Sequence, residues 1–319
     1  MDSGWLFGES GKAILGQGVT HTMSKKNERT YWLHAVSPLH VGAGRGVGYI
    51  DLPIIREKVT AWPFVPGSAL KGVLADHFGA SDPKEREKDP LKAKAFGKAG
   101  DEGNSGALVF TDARIVCIPI RSFAGAFAWV TSPLCLIRLA RDLGEDSPIP
   151  FISNREEALV IPEDSKVVLD GTTYLEDLDF SAVGSTETNT WAHRIGKAVF
   201  NDEKEWIKTF RERFVIVHDD VFSFLCETGT EVAARVRIED KTKTVAKGAL
   251  WYEESLPTET ILAGLVWCDK VYNRKESGKD SASEILNHFC GTPLHLQIGG
   301  KATVGKGLVR CLFAEGDRS

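Results

Sequence analysis

Residues 40–72, HVGAGRGVGYIDLPIIREKVTAWPFVPGSALKG, constrain this chain more than any other stretch. Before them, TYWLHAVSPLHV (residues 30–41) alternates apolar and polar positions and is rich in β-branched and aromatic types. That pattern predicts a strand with His40 near its end. Glycine then stands at positions 42, 44, 46 and 48. Such a run reaches φ > 0 without steric cost and brings N–H groups close to a ligand, yet it is also the composition of an ordinary turn. Residues 49–54 resume an extended pattern, and Pro53 argues against a helix there. Residues 63–68 feed a helix, with Ser68 as its expected N-cap and Ala69, Leu70, Val73 and Leu74 as its apolar face. A helix start with free N–H groups, a serine and Lys71 suits a phosphate.

Two nucleotide signatures fail on this chain. The dinucleotide fingerprint G-x-G-x-x-G has Val47 at its third glycine, and no helix opens directly after it. GKATVGKG (residues 300–307) writes most of a phosphate-binding P-loop but puts Gly307 where the metal-binding Ser or Thr belongs. Twelve residues remain beyond it, too few for a nucleotide-binding domain. What remains is a glycine-rich, lysine-bearing loop leading into a final strand, suited to lying along a sugar–phosphate chain.

With 319 residues the chain has room for one large or two modest domains. A net charge of −5 and 26% charged residues do not advertise nucleic-acid binding, so basic groups must be concentrated on one face to serve it. Nothing in the sequence spans a bilayer, and no membrane partner is expected. Six cysteines at 117, 135, 226, 268, 290 and 311 form no C-x-x-C, which disfavours zinc or a redox pair and fits a reducing, cytoplasmic setting. Residues 1–22 lack a signal-peptide layout and read as a leader or expression-derived extension before Met23.

Along the chain, residues 79–106 read as a solvated surface insertion. Residues 107–133 give strand, turn and strand; Phe123, Phe127 and Trp129 in FAGAFAWV read as core rather than as base-stacking platforms. Residues 133–144 predict a helix with Leu134, Ile137 and Leu139 as its apolar positions and Arg138 and Arg141 outward. Residues 174–195 read as an irregular, mobile excursion. A short amphipathic helix at 203–214, a strand at 214–218, a buried strand at 261–271 and a helix at 281–289 follow. Between them, residues 231–256 predict a β-hairpin with a basic tip at Lys241, Lys243 and Lys247 and with Arg235 and Arg237 on one strand face. It is either a phosphate-backbone contact or a solvated charged face.

Taken together, these segments resemble the RAMP superfamily of CRISPR-associated proteins, and more narrowly the backbone subunits of type III-B (Cmr) effector complexes. The likeness rests on HVGAGRGVGYIDLPIIREKVTAWPFVPGSALKG, FTDARIVCIPIRSFAGAFAWVTSPL, TEVAARVRIEDKTKTVAKGALWYEESLP and IGGKATVGKG. It implies an α+β fold: an RNA-recognition-motif-like (ferredoxin-like) core in one domain, 23–319. Large insertions at about 79–106, 145–200 and 235–250 would include a protruding thumb. It implies copies stacked along a CRISPR guide RNA beside other Cmr-type subunits. It also implies an endoribonuclease that cuts target RNA at regular intervals in antiviral defence; the other reading is a non-catalytic RNA-binding backbone. The family's aspartate after the glycine loop falls on Asp51, with His40 and Glu253 on associated positions and Ser255 where an aromatic residue often stands. Asp51 is also the expected ligand of a divalent cation, Mg2+ or Mn2+. Arg45, Arg56, Ser68, Lys71, Arg235, Arg237, Lys301 and Lys306 are the expected RNA contacts.

Overall fold

The computed structural model describes residues 27–44, 46, 48–98, 104–239, 241, 244–268 and 280–315. The leader reading, Arg45 and Lys243 lie outside the described residues, and so does the side chain of Lys247.

Four antiparallel strands form the centre: β1 (Glu28–Ala35), β2 (Ala113–Arg121), β3 (Ile261–Cys268) and β4 (Leu308–Glu315). They lie in the order β4-β1-β3-β2. Helix α1 (Gly67–His77) joins β1 to β2, and α2 (Asp280–Cys290) joins β3 to β4. This is the β-α-β-β-α-β core that the resemblance implies. Other strands extend it to thirteen: Leu294–Gln297 outside β4, and beyond β2 a series from Phe127–Thr131 to Val168–Leu169.

The run TYWLHA at β1 is buried at every position, Thr30 and His34 included, because both faces of the strand are covered. Tyr31, Leu33 and Ala35 pack in one core with Leu70 and Leu74 of α1 and Ile285 and Phe289 of α2. Trp32 points the other way, into a second core with Trp129, Leu136, Trp191, Ile195, Phe200 and Phe210. The second core includes residues of the helices Pro133–Leu143, Thr186–Phe200 and Lys204–Glu212. The sheet face that could otherwise offer aromatic residues to RNA is therefore closed by protein, which leaves loops and edges for ligands.

Several local expectations are corrected. Trp129 is fully buried and Phe127 packs on it at 4.5 Å, but Phe123 is 80% exposed on the turn after β2, edge-on to Tyr174. The helix Pro133–Leu143 buries Cys135, Leu136, Leu139 and Ala140, while Ile137 faces out. Ser68 is not a cap: the N-cap of α1 is Pro66, with no side-chain bond, and the first N–H, that of Gly67, donates to Asp112 Oδ1 at 2.9 Å. Residues 174–195 are ordered as a hairpin and a 15-residue helix, Thr186–Phe200. The Ser and Thr content that reads as a loose tip is a helix start: Ser185 Oγ accepts the Thr188 N–H at 3.2 Å. All six cysteines are buried, and none is in a disulfide among the described residues. Among the described residues, no helix is long and apolar enough to cross a membrane.

Trp191 anchors this second layer. It is fully buried, and its Nε1 donates to the Pro148 carbonyl at 2.9 Å. We expect Trp191→Ala to cost about 3–5 kcal/mol through the cavity and the stranded carbonyl. The check is a fall in the urea midpoint at unchanged m-value; an unmoved midpoint contradicts it.

Candidate active site

The site is built on a two-stranded hairpin, Glu231–Ile238 paired with Val245–Ser255. Ala233 opposes Glu253, Ala234 opposes Tyr252, and Arg235 opposes Trp251. Opposed residues share a face. Arg235, Trp251 and Glu253 thus lie on one side, and Val232, Ala234, Val236, Leu250 and Tyr252 on the other. Near Ile238 the register shifts, and the hairpin is largely exposed toward its tip.

The chain after the glycine loop runs along the outer edge of this hairpin. Leu52 bridges Glu253 in parallel: its N–H donates to the Tyr252 carbonyl at 3.1 Å, and its carbonyl accepts the Glu254 N–H at 3.0 Å. Asp51 is set at that edge, exposed, and its Oδ2 accepts the Tyr252 N–H at 2.8 Å.

β1 ends at Ala35, so His40 lies beyond the strand on which it was expected, in a segment bridged through Leu39 to Leu256. His40 is buried, with Nδ1 2.6 Å from the Glu254 carbonyl. A carbonyl only accepts, so Nδ1 carries the proton and, in the neutral ring, Nε2 is left as an acceptor. Nε2 lies under Gly42, where a Cβ would come within 3.3 Å of it. On the other side the Gly300 N–H donates to the His40 carbonyl at 2.9 Å. Gly299 has φ +80°, and a Cβ there would sit 2.2 Å from that carbonyl, so glycine is required for the loop to close on His40.

Glu253 is buried among cations. Oε1 accepts from Trp251 Nε1 at 2.7 Å and from Lys301 Nζ at 2.8 Å; among the described residues Oε2 has longer ionic contacts, to Arg235 at 3.5 Å and Lys306 at 4.0 Å. Burial pushes the carboxyl up, but the hydrogen bonds from Lys301 and Trp251 and the charges of Lys301 and Lys306 outweigh it and hold the group down at about 2. Lys306 is buried, donates to Ser255 Oγ at 2.6 Å, and burial lowers its pKa despite Glu253.

His40 and Asp51 come from the stretch 40–72 and Glu253 from some two hundred positions later, and the fold joins all three at one tripeptide, Tyr252-Glu253-Glu254. Asp51 holds its first N–H, Glu253 is its centre, and His40 holds its last carbonyl. Other expected residues stand elsewhere. Arg56 turns inward, bonded to Glu254 Oε1 at 2.5 Å and to the carbonyls of Ala61 and Cys226. Lys71 donates to the Leu108 carbonyl at 2.7 Å, and burial, then Arg86, lowers its pKa. Ser68, Arg235 and Arg237 are exposed, and Lys301 is half-buried. Sequence reasoning missed the structural part of Glu254, whose side chain also takes the Ile54 N–H at 2.9 Å and the Thr230 hydroxyl at 2.9 Å. Its alternation against Glu253 in a strand was the available signal.

Comparison with known proteins agrees with this architecture. The RAMP superfamily model matches residues 32–310, and the chain belongs to that superfamily. Within it, the chain is 35% identical over 292 residues to the CRISPR system Cmr endoribonuclease Cmr4 of Pyrococcus furiosus, covering 89% of this chain and 94% of that one. It is 24% identical to the CRISPR system CMR subunit Cmr4 of Saccharolobus solfataricus over 303 residues, 88% of this chain and 94% of that one. The crystal structure of oligomeric Cmr4 from Pyrococcus furiosus superposes with TM-score 0.68 at 28% identity, over 90% of this chain and 98% of that chain.

Proposed function

We infer that this chain is a backbone subunit of a type III-B CRISPR ribonucleoprotein, acting in the cytoplasm. It binds guide RNA, stacks with further copies of itself and other Cmr-type subunits, and cuts complementary target RNA at regular intervals. Membership of the RAMP superfamily and similarity to a named Cmr endoribonuclease along nearly its whole length support the assignment. The convergence of Asp51, His40 and Glu253 on one tripeptide is the observation that carries the site.

RNA brings its own nucleophile, so the protein has to position it and manage two protons. Asp51 lies exposed at the hairpin edge and accepts the 2′-OH proton as that oxygen attacks the adjacent phosphorus. The bond to the 5′-oxygen breaks, leaving a 2′,3′-cyclic phosphate and a free 5′-OH. His40, in its protonated imidazolium form with both ring nitrogens carrying hydrogen, would present Nε2–H past the missing side chain of Gly42 and pass that proton to the departing oxygen. Lys301 offers positive charge to a phosphate of the guide backbone while Glu253 fixes its position.

No group of three or more metal-ligating side chains occurs among the described residues. Asp51 supplies one carboxylate, which fits a hard cation shared with RNA oxygens rather than a protein cage. Mg2+ or Mn2+ bound there would neutralise charge on the phosphate. The test is product analysis with guide-loaded complex and complementary RNA. We expect regularly spaced fragments ending in 2′,3′-cyclic phosphate; ends bearing a free 3′-OH exclude this chemistry, and no cutting favours a purely structural backbone.

The two loop lysines separate in a salt series. Lys301→Ala removes one phosphate contact and should lower the log–log salt slope of guide binding by about 0.7. Lys306→Met should leave that slope unchanged, because the ammonium is buried on Ser255 and Glu253. Equal slope changes in both variants contradict the assignment.

A further inference from the structure

We propose that Tyr49 and Tyr252 form an aromatic shelf that receives the unstacked nucleobase of the target nucleotide whose 2′-OH is deprotonated at Asp51. The inference rests on the assignment of Asp51 as the cleavage residue and adds the surface that presents substrate to it.

The chemistry sets the requirement. Attack by the 2′-oxygen needs it in line with the bond to the departing 5′-oxygen. A nucleotide stacked in A-form does not offer that alignment, so its base has to leave the stack. An unstacked base shows two π faces to water, and an exposed aromatic side chain beside the phosphate offsets that cost.

The structure holds such side chains at this place. Tyr49 stands two residues before Asp51 and is 74% exposed; Tyr252 is 37% exposed. Their rings meet edge to face, centroids 6.2 Å apart and planes at 83°. The backbone N–H of Tyr252 holds the Asp51 carboxylate at 2.8 Å, so one residue supplies both a ring and the anchor of the candidate base. Leu250 and Val236, opposed across the hairpin, continue the apolar surface and are about half exposed. A continuous exposed patch of this kind marks a contact surface rather than scattered apolar residues. Charged residues of the hairpin base, Arg235 and Glu253, lie on the opposite face, which keeps the phosphate-facing and base-facing sides apart. Ring faces carry no base code, so the shelf accepts any target sequence, as guide-directed cutting requires.

The test uses reconstituted guide-loaded complex. The target carries 2′-deoxy-2-aminopurine at the nucleotide before the cut, which reports stacking and cannot be cleaved there. Fluorescence should be quenched in the wild type and bright in the Tyr49→Ala, Tyr252→Ala double variant. With ordinary RNA target, that variant should cut roughly 10-fold or more slowly in single turnover, with target affinity unchanged and Phe at both positions restoring most of the rate. Equal fluorescence together with an unchanged rate overturns the shelf. So does loss of assembly without a cleavage defect in complexes that still form, which would make the patch a contact between copies of the chain. Asp51→Asn keeps the two failures apart: if it still cuts normally the active-site assignment falls, whereas the fluorescence change reports the shelf by itself.

Discussion

Asp51→Ala should abolish target cleavage while guide and target binding persist. Removing a general base costs about 10²–10⁴-fold in rate, and here the same group is also the expected cation ligand, which places the loss toward the upper end. Folding should be nearly unaffected. The carboxylate is exposed and accepts the Tyr252 N–H, a donor that water can satisfy instead. Asp51→Asn sharpens the reading, because an amide oxygen can still accept from Tyr252 but cannot take a proton. Both variants should be inactive if the role is chemical; an active Asn variant beside an inactive Ala variant would make Asp51 a positioning residue. Periodic cutting at full rate by both would sink the assignment. The measurement is single-turnover cleavage by reconstituted complex, with binding followed separately.

The parts of the fold legible in the sequence are those where local pattern and tertiary context agree. β1 sets Tyr31, Leu33 and Ala35 at alternate positions toward one core, and α1 shows Leu70 and Leu74 at helical spacing. The helix Thr186–Phe200 was hidden for the opposite reason. Its buried residues Trp191, Ile195 and Val199 do recur every fourth position, but its first turn is Thr-Glu-Thr-Asn-Thr, a composition shared by loops and helix caps. Phe123 misleads because a turn, not a strand, decides its direction. At the site, chemical type was legible and partnership was not. Lys301 and Lys306 stand in a glycine-rich loop that reads as free to meet phosphate. Their tie to Glu253, some fifty positions earlier, arises because Gly299 and Gly300 close that loop onto His40 and the Gly307 N–H bonds the Pro38 carbonyl. Pattern gives periodicity along the chain and no distance across it.

Glu253 carries the second large effect, and the geometry narrows what it can do. A carboxyl held down at about 2 is an anion at neutral pH and has no proton to donate. Its work is to neutralise Lys306 and to fix Lys301 and Trp251 beneath the edge that carries Asp51. Glu253→Ala should therefore cost about 3–5 kcal/mol, chiefly because buried Lys306 is left facing Ser255 without a counter-charge, while Lys301 and Arg235 can regain water. Glu253→Gln, which still accepts a bond from Trp251, isolates the charge. Because the folded carboxyl is depressed below its ordinary value of about 4.3, its contribution is present above that pH and fades as pH falls toward 2. The stability gap between wild type and Glu253→Gln should thus be open at pH 7 and close through the acid range. A gap that stays constant from pH 7 to pH 2 would remove the ion cluster as its cause. A closing gap together with slowed but measurable cutting at pH 7 would mark Glu253 as the organiser of the site, leaving proton transfer to Asp51 and His40.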